Sequence, residues 1–425
     1  MAVNAPFSTR DGPALDRYGF PVQRAQHVAR PREAPRSRLI FAMFVLVALA
    51  TTVLQKIGFG TPPDAIIPLV LPVTLLATIA ALAFAQPVFD SGRVWLYFLF
   101  VIASALSTTL FALNYSFKSL ALYATLYLPM VVSFRVSEAD YRRCMNFFST
   151  LMLVMTGLLF AQHLIQVSIG WRYWPNIDTL LPPPLLIPNF NYVQPIVWGL
   201  NYMKPNAVFF LEVSFLSQFI ALALGIELVL FRRWWRVALF TAGVFLTFAG
   251  TGLLLLLLTL PVLIGRVSIR NMLLAIAGFG LVGLAAWWLG WVDLVSHRFD
   301  EFTRTGASAN MRFVEPYNRL VDFASDPASL YSGIGAGQIE KALNFQWWPF
   351  TKATLEYGII PGLLFYGFFL YTLFNRAPRK RIAFMLAVWF SLEGALLTAV
   401  NPITCMLLST MFCTGASARR GGGRA

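Results

Sequence analysis

Charge is what this chain lacks. Asp, Glu, Lys and Arg make up 12% of its 425 residues, about half the share usual in water-soluble domains. With 58% hydrophobic residues and a mean hydropathy of +0.66, water cannot be the main solvent of the fold. Cysteine and histidine are scarce as well, at three each. Cys144 lies in a short connection and Cys405 and Cys413 share one apolar run, which excludes a disulfide framework and any zinc-finger spacing. His27, His163 and His297 fall in three separate regions. Neither an Asp-x-Asp nor a His/Asp cluster occurs in the longer loops, which argues against a metal-dependent reaction. Signatures of a Ser-His-Asp triad, a nucleotide-binding glycine loop, haem or flavin are missing too. No metal and no cofactor are expected.

What is present is a series of apolar runs of about 20 residues between Leu39 and Thr414, each able to cross a hydrocarbon core of about 30 Å. Spans are expected at 39–55, 63–85, 94–113, 117–134, 145–168, 206–230, 271–292, 354–374, 382–398 and 401–416. The apolar run from Val237 to Gly265 corresponds to roughly 43 Å of helix, too long for one upright crossing and short for two. Gly250-Thr251-Gly252 at its middle tolerates a chain reversal, so a hairpin of two short helices is expected. The rival, a single tilted helix, would put Arg376, Arg379, Lys380, Arg381, Arg419, Arg420 and Arg424 outside, against the tendency of basic residues to stay cytoplasmic.

The expected fold is therefore an all-α polytopic membrane protein of about twelve helices, in one transmembrane domain over 39–416. Both termini are cytoplasmic: a disordered basic tail over 1–38 and a short tail over 417–425. The net charge of +14 sits mainly in short connections between spans, so it speaks for membrane topology and not for nucleic acid. Two long connections, 169–205 and 293–353, emerge on the far face, where any extracytoplasmic chemistry belongs.

The first long loop carries Trp171, Tyr173, Trp174, Phe190, Tyr192, Trp198 and Tyr202 with almost no charge. Aromatics at a water interface fit a membrane belt; seven in one loop also suit sugar faces, whose C–H groups pack on rings. The loop runs through Lys204-Pro205-Asn206 into an apolar span that contains Glu212, Ser214 and Gln218. An intramembrane carboxylate is costly and faces a cavity or a partner; a helix-binding ion pair and a catalytic role are equally open for Glu212. Helical spacing makes Ser214 and Gln218 neighbours and sets Glu212 about 200° from Ser214.

The second long loop carries His297, Arg298, Arg304, Arg312, Arg319, Lys341 and Lys352 among interspersed acids. Its balanced charge excludes a polyanion surface and leaves individual guanidinium forks able to grip a phosphate. Arg312 and Arg319 share a face if 311–325 is one helix; for Arg319, ion pairing with Glu315 or Asp322 is favoured. Gly333-Ile334-Gly335-Ala336-Gly337 reads as a tight turn, and Lys352 and Glu356 as an i, i+4 pair at a span's beginning. Glu393, inside an apolar run, reads as a packing residue.

At these residues the chain resembles the bacterial O-antigen ligase and polysaccharide polymerase superfamily, and within it the Wzy-type polymerases of exopolysaccharide or capsule. Phe209-Phe210-Leu211-Glu212-Val213-Ser214, after Asn206, is similar to their Asn-Gly-x-Phe-x-Glu-Pro-Ser segment. Arg312 followed by Asp326-Pro327 and Gly333-Ile334-Gly335 resembles their arginine-then-glycine loop, and Glu356-Tyr357-Gly358 their Glu-x-Gly. Ala207 and Val213 stand where glycine and proline are frequent, Lys204 near where an arginine is common. The ligases' histidine before Glu-x-Gly is missing, which sets the chain apart from that branch.

The resemblance implies metal-independent glycosyl transfer on the periplasmic face of the cell inner membrane. The donor would be an undecaprenyl-diphosphate-linked glycan, and a flippase and a chain-length regulator would be pathway partners. It gives Arg312 and Glu212 the catalytic roles, with Lys204, Arg298, Arg319 and Lys352 as further substrate cations and Trp174 and Tyr202 as sugar-facing rings. Ligation of finished glycan to a lipid or protein acceptor is the first alternative. A non-enzymatic lipid or polysaccharide transporter is the second, although the inverted repeats expected of one are not visible.

Overall fold

The computed structural model describes residues 35–60, 66–187, 190, 192–196, 201–264, 310–339, 347–392 and 396–414, with positions 284, 287 and 303. Of the expected disordered tail over 1–38, residues 35–38 instead open α1 and 1–34 lie outside the described residues, as do the expected span at 271–292 apart from positions 284 and 287, and Trp198, His297, Arg298, Arg304, Lys341 and Glu393.

The described chain is mostly helical, as it must be where lipid offers backbone groups no partner. Among the described residues, four helices are long and apolar enough to cross a membrane: Arg36–Val53, Ser91–Leu110, Glu138–Ser168 and Val213–Phe231. Six shorter apolar helices accompany them. In chain order the helices used below are α1 (Pro35–Val53), α2 (Val70–Phe84), α3 (Ser91–Leu110), α4 (Phe117–Tyr127) and α5 (Glu138–Ser168). Then come α6 (Val213–Ile226), continued by a π-turn over Glu227–Phe231, α7 (Trp234–Leu246) and α8 (Gly250–Ile264). Beyond the second loop's α9 (Glu315–Ala324) follow α10 (Pro349–Tyr357), α11 (Ile359–Phe374), α12 (Lys380–Leu392) and α13 (Val400–Cys405). Side-chain caps start several of them: Asp90 accepts from Arg93 N–H (3.2 Å), Ser116 from Ser119 N–H (3.3 Å) and Ser137 from Asp140 N–H (3.0 Å).

Helix α6 is the axis, every one of its residues buried. Arg236 at the start of α7 approaches Glu227 at the end of α6, while Gly243 packs on Ile220; α7 is therefore antiparallel to α6. Gly252 lies against Ser217, and Leu263 against Gly225, so α8 runs parallel to α6. The apolar run doubles back as a helical hairpin, but its glycines do not make the turn. The reversal occupies 247–249, where Phe248 takes a φ of +53°, and Gly250 already belongs to α8. Gly252 serves packing instead: a Cβ there would stand 2.7 Å from the Ser217 backbone oxygen. The span expected to begin at 206 starts as helix only at Val213, and the one expected over 354–374 is broken at Gly358 (φ +90°).

Two ends of the bundle follow from the contacts. At one, Ser37 bonds Asp140 (2.6 Å), Arg376 pairs with Asp90 (3.2 Å), and Arg379 pairs with Glu138. Arg142 donates to Leu230 O (3.2 Å) and Arg381 to Leu263 O (3.4 Å). Here β3 (Pro87–Phe89) pairs antiparallel with β4 (Val132–Val136), which pairs parallel with β5 (Phe412–Thr414). Arg93 is buried and gives its guanidinium to the carbonyls of Thr410 and Asn375. Glu227, fully buried, accepts two bonds from Arg233 and one from Ser149.

At the other end lie both long loops. Ile187 N–H donates to Lys56 O (3.0 Å) just beyond α1, and β1 (Gly58–Phe59) pairs with β2 (Ile67–Pro68). Ser107 donates to Ser332 O (2.6 Å) and Ser116 N–H to Ala336 O (2.9 Å). The aromatic loop and the arginine loop thus share one side of the bundle, opposite the basic clusters.

In a variant lacking its three buried cysteines, cysteines replacing exposed Tyr173 and Tyr317 should react with a membrane-impermeant maleimide from the same side. A cysteine replacing Lys380 should react only from the opposite side. Labelling of Tyr173→Cys and Tyr317→Cys from different sides refutes this arrangement.

Candidate functional site

The first loop is fastened from below by Lys56. Its ammonium is completely buried, 3.2 Å from Asp178 and 4.9 Å over the Tyr192 ring. Burial pulls the lysine's pKa below its ordinary value, against the opposing pull of Asp178. An antiparallel bridge between Ile57 and Leu186 adds backbone support. A lone lysine ending an apolar span was the only sequence signal for this anchor.

From Met203 to Glu212 the chain enters the bundle without regular structure, and amide side chains supply the missing partners. Gln166 accepts from Met203 N–H (2.8 Å) and donates to Met203 O (2.9 Å). Gln162 accepts from Asn206 N–H (3.1 Å), and Gln55 accepts from Leu211 N–H (3.3 Å). Asn206 closes a tight turn by accepting from Val208 N–H (3.0 Å) and donates to Tyr192 O (2.8 Å). Inside that turn Ala207 and Val208 adopt φ of +49° and +70°, a region that disfavours a β-branched residue most of all. Gln162 and Gln166, one helical step apart near the end of an apolar helix, carried a signal that periodicity alone passes over.

Glu212 ends this segment, buried at 7% exposure and extended in backbone (φ −142°) just before α6. Ser214 donates to its Oε2 at 3.3 Å. Helical spacing argued against that pair; it forms because Glu212 precedes the helix. Gln218 stands one helical step from Ser214 on α6, as expected, and accepts from the indole N–H of Trp389 on α12 (2.9 Å). Burial, then the carboxylates of Asp178 and Glu212, push the Tyr192 phenol up to about 12.

Above lies a pocket. Trp171, Trp174, Tyr192, Val193 and Met203 form its apolar lining, and Gln162, Gln166, Asn176, Lys204 and Asn206 its polar one. Trp174 and Lys204, assigned to substrate from sequence, therefore stand together. Tyr202 is held to one side: its ring stacks on His163 with centroids 5.8 Å apart, and its hydroxyl lies 2.8 Å from Nδ1. A carbonyl only accepts, so His163 carries its proton on Nε2, 2.7 Å from Leu246 O, and Nδ1 takes the Tyr202 hydroxyl proton's bond.

In the second loop, the helix expected over 311–325 is continuous over 310–324, with its first turn π-wound. Arg312 falls, half-buried, on a π-turn over Asn310–Val314, and Arg319 on α9, where it pairs with Asp322 at 3.6 Å. Gly333, Gly335 and Gly337 all take positive φ. The amides of Ile334 and Gly335 donate to Leu355 O and Glu356 O (2.9 Å each), so this cluster is a tight turn docked on α10. Lys352 and Glu356 pair at 3.9 Å, their side chains 1% and 0% exposed. Beside them Tyr357 stacks on Tyr123 with centroids 4.8 Å apart.

Lys56→Met should strand Asp178 and lower stability by about 2–3 kcal/mol in detergent, with faster proteolytic nicking of 171–187. Adding Asp178→Leu should recover most of the loss, because the charge left alone, rather than the missing bond, carries the penalty. Additive losses in the double variant would show that the pair is not the anchor. No family model, no curated protein and no solved structure matches this chain, so the function of the site rests on its own residues.

Proposed function

We propose that the protein polymerises lipid-linked glycan repeat units. In this reading the chain crosses the bacterial inner membrane twelve times with both termini in the cytoplasm. The basic end of the bundle then faces the cytoplasm, in keeping with the distribution of basic residues in membrane proteins. The observation that carries the reading is the sharing of one bundle end by an aromatic pocket containing Lys204 and a loop containing Arg312. A membrane transferase whose donor is a lipid diphosphate needs both on one face.

The chemistry asks little beyond position and charge. A hydroxyl oxygen of the acceptor sugar attacks the anomeric carbon of the donor, and the bond from that carbon to the diphosphate oxygen breaks. Undecaprenyl diphosphate leaves with the electron pair, and the hydroxyl proton passes to a base. Arg312 stabilises the departing diphosphate through its guanidinium fork, with Lys204, Arg298 and Lys352 as further cations. Glu212 takes the proton or orients an arginine. The rings of Trp171, Trp174 and Tyr192 offer faces to the sugar.

Arg312→Ala should insert and fold normally and reduce chain extension by about 100-fold or more, with single repeat units accumulating on undecaprenyl diphosphate. Normal polymer lengths would remove Arg312 from the mechanism. Long polymer retained on the lipid carrier when the protein is deleted would identify a ligase instead, and substrate flux without covalent change would identify a transporter.

A further inference from the structure

The seam between α5 and α7 carries charge that its own residues do not balance. At the basic end of the bundle Arg233 and Arg236 both turn onto the buried carboxylate of Glu227, at 2.9 and 3.6 Å. Arg142 of α5 donates to Leu230 O (3.2 Å) and pairs with Glu138 (3.2 Å), a carboxylate that Arg379 shares. The neighbouring acid, Asp140, interacts with Arg143. Four guanidinia therefore meet two carboxylates, and the corner keeps an excess of positive charge with all of these contacts made. The charge is within reach of a ligand, since the Arg142 side chain is 47% exposed and that of Arg233 29%.

Below the arginines the seam turns apolar. Arg236 reaches across it to the Thr150 hydroxyl of α5 (3.2 Å). About one helical turn further into the bundle stand Val154 on α5 and Leu239 on α7, 54% and 37% exposed. The exposed ring of Trp235 lies 5.1 Å from the Arg236 guanidinium, in the manner of aromatics at a lipid headgroup level. A soluble anion would use the arginines and leave the apolar residues without a partner. A zwitterionic lipid would bring a cation of its own to a corner already in excess. An anionic phospholipid supplies a phosphodiester for the guanidinium forks and acyl chains for the stripe below. We propose that the α5–α7 seam binds an anionic phospholipid, with its phosphate at Arg142 and Arg233 and its chains along Val154 and Leu239. The proposal requires the bundle to sit in a bilayer and draws nothing from glycan chemistry.

The test takes the full-length protein in detergent and follows lipid binding by native mass spectrometry. The probes are phosphatidylglycerol and phosphatidylcholine with identical acyl chains, and glycerophosphoglycerol, the headgroup without its chains. Phosphatidylglycerol should bind about tenfold more tightly than phosphatidylcholine, and an equal concentration of the free headgroup should not displace it. Arg142→Gln removes an exposed cation and should abolish most of that preference. Thr150→Trp, also at an exposed position, fills the head of the seam and should weaken both lipids. Equal affinity for the two lipids, an unchanged preference in Arg142→Gln, or unchanged binding in Thr150→Trp overturns the proposal. Displacement by the free headgroup would identify a soluble-anion site and overturn it as well. If one variant fails to fold, the other decides.

Discussion

A backbone polar group inside a bilayer has to find its partner within the protein, and the described structure is organised around the one place where a helix does not provide it. Between Met203 and Glu212 the chain descends to the bundle axis in irregular form. It can do so because four amide side chains, Gln55, Gln162, Gln166 and Asn206, take over the bonds a helix would have made. These residues come from the turn just beyond α1, from α5 and from the segment itself, so the loop's conformation is tied to the packing of the helices that hold it. Non-helical backbone at this depth is otherwise tolerated only where it borders a cavity or is enclosed by protein, and here both conditions meet beneath the Trp174 pocket.

Buried charge follows the same rule. Glu227 is enclosed by Arg233, Arg236 and Ser149, Lys56 by Asp178 and the Tyr192 ring, and Lys352 faces Glu356. Such pairs contribute little net stability compared with apolar replacements, but losing one partner is expensive. Their effect is therefore to fix geometry. Glu227 fixes the turn from α6 into α7, and Lys56 fixes the first loop on α1. Lys352 and Glu356 are placed within α10, whose terminal carbonyls receive the glycine turn of the second loop. One buried pair thus stands under each long loop.

Much of this architecture was legible in the sequence, because apolar run length and the placement of arginines report directly on helices and on the ends they share. The doubling back of the 237–265 run was legible for that reason. Its turn was misplaced by three residues, since glycine content marks where reversal is cheap and Phe248 shows where packing of α7 and α8 on α6 demands it. The Lys352–Glu356 pair and the Arg319–Asp322 pair followed from helical spacing. The Glu212–Ser214 bond did not, because spacing arguments assume a helix that has not yet begun. Lys56 and the glutamine cradle left polar residues in apolar runs as their only mark, and their partners were not legible for a different reason: they are more than 35 residues away in sequence, and no local pattern announces a contact of that kind.

The strain in this segment bears on Glu212. Ala207 and Val208 hold left-handed backbone angles that cost L-residues about 1–2 kcal/mol each, and such angles persist only where the surroundings over-determine them. Asn206 supplies that determination from within, by closing the turn onto Val208, and Gln162 and Gln55 supply it from outside. The backbone five residues after Ala207 is therefore set by the cradle, and the carboxylate it carries accepts from the Ser214 hydroxyl in the first turn of α6. A glycine at 207 would relieve the angle but also release the chain to other conformations. Alanine restricts the alternatives, and so ties the position of Glu212 to the integrity of the glutamine contacts beneath the pocket.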